Sequence, residues 1–250
     1  MASAPDSPIA ISLGDPAGIG PEVIAKCWDH RAEFDLPPFV AIGDGRSIAA
    51  VWDGPIEVVD DPSQADAAFD YALPLIQLSS ADGDLPGHPS VAGAHCSLDA
   101  LELAVGLARS GSAAAVVTGP VAKEQLYAIG FQHPGQTEFV AERCGISPAN
   151  VVMMLAGPTL RTVPVTTHLP LRDVPDSLTA SLIESRGRAT LRGSGADRRR
   201  MWRGRQDRDG IPRRNRDAGQ REDARPSGRA AADDAADAGR AGNPAVRITR

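Results

Sequence analysis

Between residues 9 and 120 short runs that are almost wholly apolar alternate with stretches whose apolar residues recur every three or four positions. A strand covered on one face alternates apolar with polar side chains, whereas one that is apolar throughout needs cover on both faces. The runs are "IAISL" (9–13), "FVAIGD" (39–44), "IEVVD" (56–60), "YALPLIQL" (71–78) and "AAAVVTGP" (113–120). Among the intervening helices, "PEVIAKCW" (21–28) carries Pro21 near its first turn, Glu22 at its positive end, and Val23, Ile24 and Cys27 on one stripe. A short helix spans 47–51, and a long one fits "AHCSLDALELAVGLARSG" (94–111), where Leu98, Leu101, Val105 and Ala108 share a face and Gly111 ends it. "VAKEQLYAIG" (121–130) and "GQTEFVAERCG" (135–145) are further helices. "VVMMLAGP" and "RTVPVTTHLPL" read as adjacent strands ending near His168, with a helix from about Pro175. The fold class is α/β, with a parallel sheet covered on both faces.

The pattern stops near residue 185. Residues 1–185 hold 8 basic against 23 acidic side chains, while 186–250 hold 18 Arg, no Lys and 9 acidic residues, so the overall charge of -6 describes neither part. The acidic part gives no electrostatic reason to expect nucleic-acid binding. Its start lacks a basic segment followed by an apolar one, so no secretory signal is expected, and no run approaches the roughly 18–20 apolar residues of a membrane helix. Cys27, Cys96 and Cys144 are odd in number and widely spaced, as expected of buried thiols in a reducing compartment. Residues 186–250 contain only six large apolar side chains, too few for burial to offset the entropy of ordering, and are expected to be disordered. Three organisations compete for them: a basic tail for nucleic acid or anionic lipid, a natural charged linker, and out-of-frame translation of a GC-rich gene. The abrupt loss of hydrophobic register favours the last. The expected organisation is a flexible lead-in (1–8), a partial α/β region (9–185) and the tail (186–250).

Four stretches carry candidate chemistry. "GDPAGIG" (14–20) is neither G-x-G-x-x-G nor a P-loop, so a ligand-holding turn and a plain structural turn both remain open. "TGPVAKEQL" (118–126) repeats strand, turn and helix, with Lys123 in the first helical turn, unfavourable to the dipole unless an anionic ligand or solvent compensates. In "HPGQTEF" (133–139) Gln136 and Thr137 open a helix and can donate hydrogen bonds, with a simple N-cap role for Thr137 as the rival. "VPVTTHLPL" (163–171) puts His168 at a strand end, where α/β sheets gather ligands, although one histidine is not a metal site and a satisfied structural histidine fits equally.

Taken together and in this order, "GDPAGIGPE", "VTGPVAKEQL", "HPGQTEF", "VVMMLA" and "VTTHLPLRDVP" resemble the 4-hydroxythreonine-4-phosphate dehydrogenase family of pyridoxal phosphate (vitamin B6) biosynthesis, from about residue 9 to 185. The resemblance implies a fold similar to isocitrate and isopropylmalate dehydrogenases, a cytoplasmic homodimer, NAD or NADP, and a divalent cation (zinc, magnesium or cobalt). It implies oxidation of 4-(phosphooxy)-L-threonine and decarboxylation to 3-amino-2-oxopropyl phosphate, the cation acting as Lewis acid and the nicotinamide taking the hydride. By position His168 matches a metal-binding histidine, and Gln136 and Thr137 match two substrate-binding positions of a G-H-T-E-F motif. Gln136 stands where that motif has His and can donate a hydrogen bond but carries no positive charge. Asp15 and Lys123 lie in family motifs without an assigned role, and no cofactor-binding residue is assigned.

The family is longer, and its later half supplies two more metal histidines and further substrate-holding residues. After His168 this chain has no histidine, and asparagine-proline-histidine-alanine-glycine is absent. The chain as written is therefore expected to be inactive and to expose apolar surface. Two alternatives stand beside this reading. One is a dehydrogenase of a related phosphorylated hydroxy acid or cis-dihydrodiol. The other is a non-catalytic anion-binding module with a basic tail.

Overall fold

Parallel pairing carries the apolar runs into one sheet. A computed structural model describes residues 7–78, 86–147, 150–157, 159–193 and 248–249. The strands are β1 (Ile9–Ser12), β2 (Phe39–Gly43), β3 (Ile56–Val58), β4 (Leu73–Gln77) and β5 (Ala115–Thr118), in the order β3-β4-β2-β1-β5. Every pairing among them is parallel; Ile9 lies opposite both Phe39 and Ala115. A two-residue strand, β8 (Ile248–Thr249), lies parallel to the outer edge of β5. Parallel neighbours require crossovers, which are supplied by α1 (Gly20–Asp29), α2 (Gly45–Ala49), α3 (Ala65–Phe69) and α4 (Val91–Ser110).

Alternation along the strands divides the core in two. Ala10 and Ile42 face a cluster with Leu101, Ala104 and Val105 of α4, together with Leu126, Phe139 and Val140. Ile11, Leu13, Phe39 and Ala41 point the other way, into a cluster with Ile24, Ala25 and Trp28 of α1, Ile48 and Phe69. Cover on both faces is what the unbroken apolar runs require. By length and hydropathy α4 could cross a membrane, yet its inner side is buried against the sheet. Ser90 caps its start by accepting from the Gly93 N–H at 2.9 Å, and Gly111 ends it at φ 87°.

Several expectations are corrected, and one further helix is found. On α1 the buried stripe is Pro21, Ile24, Ala25 and Trp28, leaving Val23 and Cys27 exposed. The reason is Trp28: its indole N–H reaches the Phe69 carbonyl at 2.9 Å and its ring packs edge-on against Trp52, rotating the helix so that the largest apolar side chain is inside. Cys96 alone is fully buried; Cys144 is half-buried. The connection at 61–70 holds a helix, begun by a capping box in which Asp61 accepts from Ser63 N–H and Gln64 reaches back to the Asp61 N–H.

The last correction concerns the strands after residue 150. They shrink to β6 (Leu155–Ala156) and β7 (Arg161–Thr162), an exposed antiparallel ladder outside the main sheet. Among the described residues this sheet has two strands only, and an isolated two-stranded ladder is marginally stable. Between the sheet and this ladder lie α5 (Lys123–Ala128) and α6 (Gln136–Arg143); after it come α7 (Val174–Ser177) and α8 (Ala180–Gly193). The change of composition at residue 186 thus falls inside α8. The lead-in before residue 7 and the tail beyond 193 lie outside the described residues, apart from β8.

Burial pushes the Cys144 thiol above its ordinary value, against a smaller opposing effect of Arg109. Since the thiolate is the reactive form, alkylation of the native protein near pH 8 should label Cys27 first, Cys144 more slowly and Cys96 last, as peptide mass mapping of a time course would show.

Candidate functional site

The strand order reverses between β1 and β5, because successive crossovers build outward from β1 through β2 while α4 returns the chain to its other side. Loops at the carboxyl ends of strands diverge at such a point and leave a crevice. Two glycine-proline turns meet there. Gly119 N–H donates to the Ser12 carbonyl at 2.8 Å, and Asp15 N–H donates to the Pro120 carbonyl at 2.9 Å. The approach leaves no room for side chains. A Cβ on Gly14 (φ +75°) would stand 2.2 Å from the Pro120 oxygen, one on Gly119 2.3 Å from the Leu13 oxygen, and one on Gly20 1.9 Å from that same oxygen. The glycines of "GDPAGIG" thus serve backbone packing between two turns.

The polar residues of these motifs are largely engaged within the protein. Asp15 is buried; its carboxylate accepts from the Ala17 N–H at 2.9 Å and its carbonyl from the Gly18 N–H at 2.9 Å, shaping its own turn. Lys123, the first residue of α5, donates to the Pro134 carbonyl at 2.8 Å and ties α5 to the lead-in of α6. That contact compensates the ammonium at a helix start with a carbonyl dipole. Gln136 is buried. Its Oε1 accepts from the Thr118 hydroxyl at 3.1 Å and its Nε2 donates to the Gly119 carbonyl at 3.1 Å, joining the end of β5 to the first turn of α6.

The N-cap of α6 is Gly135, so Thr137 is inside the first turn and half-buried, and does not cap the helix. Glu138 follows it, with a buried Oε2 that has no hydrogen-bond partner. Gly135 sits between the charges: a Cβ there would be 3.3 Å from Glu138 Oε2 and 4.0 Å from Lys123 Nζ. His133 belongs to the packing, its ring edge-on to both Phe131 and Phe139 and its Nε2 3.5 Å from Glu142.

His168 is elsewhere in the chain's layout, exposed in the loop after β7 with φ at 60°. Among the described residues no group of three or more His, Cys, Asp or Glu is placed to hold a metal. The structure therefore joins Gln136 to the switch-point turns and leaves His168 without a ligand set. Sequence reasoning missed Thr118 and Gly119 as the partners of Gln136, and the buried Oε2 of the half-buried Glu138. The signal available was the repetition of strand, glycine and proline in "GDP" and "TGP".

A family model described as pyridoxal phosphate biosynthetic protein PdxA matches residues 37–197. The chain is 52% identical over 184 residues to a 4-hydroxythreonine-4-phosphate dehydrogenase of Zymomonas mobilis, covering 74% of this chain and 55% of that one. In structure it is similar to a 4-hydroxythreonine-4-phosphate dehydrogenase from Burkholderia phymatum, with a TM-score of 0.65 at 32% identity over 76% of this chain and 59% of that one. It is also similar to a terephthalate 1,2-cis-dihydrodiol dehydrogenase from Burkholderia xenovorans, with a TM-score of 0.52 at 26% identity over 75% and 56% of the two chains. The chain spans little more than half the length of the curated relatives it matches.

Replacing Gly14 by Ala should cost about 2–4 kcal/mol, from a left-handed backbone combined with a clash against carbonyl oxygen. Gln136→Ala should cost about 1–3 kcal/mol by stranding the Gly119 carbonyl, whereas Thr137→Ala should stay within about 0.5 kcal/mol. Urea unfolding followed by circular dichroism separates the three.

Proposed function

Because this chain belongs to the pyridoxal phosphate biosynthetic protein PdxA family, we propose that its α/β region descends from, and in a full-length setting serves, NAD(P)-dependent oxidation and decarboxylation of 4-(phosphooxy)-L-threonine to 3-amino-2-oxopropyl phosphate. The observation that supports the proposal is that Gln136, at the first turn of α6, braces the turn after β5 at the β1/β5 switch point; Gln136 and Thr137 are taken as the substrate-binding residues. In this reading the fold is that of the isocitrate and isopropylmalate dehydrogenases, and the full-length protein works as a cytoplasmic homodimer.

Gln136 holds the Gly119 turn with one amide N–H and has a second for substrate. Thr137 offers its hydroxyl and a first-turn backbone N–H to a phosphate oxygen. Since neither side chain titrates, pH acts on their contribution to phosphate binding only through the phosphate itself, unlike that of a histidine at position 136.

A divalent cation does not fit the described residues. A site of this kind needs about three protein ligands, and among the described residues His168 belongs to no group of three or more His, Cys, Asp or Glu placed to hold a metal. His168 is proposed as one ligand of a site that this chain does not complete, and the 250-residue chain is accordingly proposed to be inactive. No residue is assigned to NAD or NADP. The tail is proposed to be read out of frame. Residues 198–250 lie outside the family match, and the coding DNA beyond codon 180 should encode asparagine-proline-histidine-alanine-glycine in another frame.

A second reading, dehydrogenation of a related phosphorylated hydroxy acid or a cis-dihydrodiol, is favoured by the likeness to the Burkholderia xenovorans enzyme and by the missing positive charge at Gln136.

Grafting residues 9–193 onto the remainder of the Zymomonas mobilis relative distinguishes the readings. The chimera should reduce NAD or NADP, followed at 340 nm, with 4-(phosphooxy)-L-threonine and a divalent cation, and His168→Ala should abolish it. Turnover of a cis-dihydrodiol in preference would favour the second reading. The ungrafted chain should give no turnover under the same conditions, and metal-dependent reduction by it would show the inactivity proposal to be wrong.

A further inference from the structure

Among the described residues, the hydroxyls of Ser12 and Ser97 are fully buried and have no hydrogen-bond partner. Ser12, the last residue of β1, is 1% exposed, and Ser97, in α4, is 2% exposed. Nearly all buried polar side-chain atoms are paired, because a hydroxyl taken out of water and left unpaired is costly. Where the chain supplies no partner, a bound water is the usual one.

The topology brings the two serines to one layer. Ala10 faces the cluster that holds Leu101, Ala104 and Val105, and Ser12, two residues further along β1, is on that same face. Ser97 is one turn before Leu101 and shares its side of α4. α4 runs against the strands. Its start follows Gly87, whose N–H donates to the Ala17 carbonyl beyond the end of β1, and at its other end the Gly111 carbonyl accepts from the Ser7 hydroxyl ahead of β1. Ser97, in the second turn, is therefore at the level where β1 finishes.

The surroundings suit a small polar guest. Of the four residues one turn from Ser97 on α4, three are small: Gly93, Ala94 and Ala100, all buried. A third polar group lies alongside. Thr118 pairs in register with Ser12, which puts their side chains on one face of the sheet. Its hydroxyl donates to Gln136 Oε1 at 3.1 Å and keeps lone pairs for another donor.

We propose that one water molecule is bound between the end of β1 and the second turn of α4, accepting from the Ser12 and Ser97 hydroxyls and donating to Thr118 Oγ1. Three hydrogen bonds are what a buried water ordinarily makes, and hydroxyls alone offer an ion no countercharge. Through Thr118 the water reaches Gln136, so the brace at the β5 turn continues into the core. The site is independent of what the chain catalyses.

The test is a double-mutant cycle in the full 250-residue chain, with Ser12→Ala, Ser97→Ala and both, read by urea unfolding. Either single substitution leaves the water and the remaining serine short of a bond and should lower the folding equilibrium constant about tenfold. Removing both serines releases the water, so the double variant should also lose about tenfold, where independent sites would lose about a hundredfold. The higher helix propensity of alanine at position 97 does not affect this coupling, because it enters the single and double variants alike. Hydroxyls that are simply unpaired predict the opposite sign, each alanine stabilising the chain by removing a polar group buried at a cost. Single substitutions that are neutral or stabilising, or losses that multiply, overturn the proposal. Where a variant does not fold, the unsubstituted chain decides. Its crystal structure should show a density peak about 2.7–3.0 Å from both Oγ atoms, and finding none there, or both hydroxyls donating to main-chain carbonyls, overturns the proposal.

Discussion

Backbone-to-backbone contact between the ends of β1 and β5 is the constraint from which the remaining arrangement follows. Two turns can share this space only where Gly14, Gly20 and Gly119 lack Cβ atoms, since the nearest carbonyl oxygens stand 1.9–2.3 Å from where those atoms would be. Once the turns are in contact, β1 and β5 pair in register from Ile9 and Ala115 to Ser12 and Thr118. The crossover through α4 is thereby fixed, and with it the reversal of strand order at β1.

The same contact explains the use of polar groups around the crevice. A turn held against another turn has backbone donors and acceptors removed from water, and each must find a partner. Asp15, Lys123 and Gln136 meet that need: Asp15 within its own loop, Lys123 at Pro134, and Gln136 at Thr118 and Gly119. In the proposed function it is the start of α6, with Thr137 and the remaining amide N–H of Gln136, that would meet the substrate. Glutamine suits this double task, because a neutral amide can hold a backbone carbonyl and a neighbouring hydroxyl at once.

Residues 150–193 obey no comparable closure. The sheet half of the fold has three buried clusters and a helix layer on each face, whereas the β6–β7 ladder is exposed and α8 buries only part of its surface. His168 belongs to this part. Among the described residues it joins no group of three or more metal-ligating side chains, and the chain spans little more than half the length of the relatives it matches.

Much of the fold was legible locally. Wholly apolar runs, helical periodicity and Gly111 after α4 depend on residues close in sequence, so the parallel α/β class and its strands could be read without coordinates. The motifs, taken in order, also pointed to the family. Reading failed where a distant partner decided: Cys27 rather than Trp28 was assigned to the inner stripe of α1 because the carbonyl that holds the indole is 41 residues away. The strands expected after residue 150 were judged on apolar content, although a strand also needs neighbours. Layers, glycine turns and family thus follow from residues near one another in the chain. That Gln136 braces the β5 turn and that Lys123 answers a carbonyl emerges with the fold, because those outcomes depend on which groups the folded chain brings within hydrogen-bond reach.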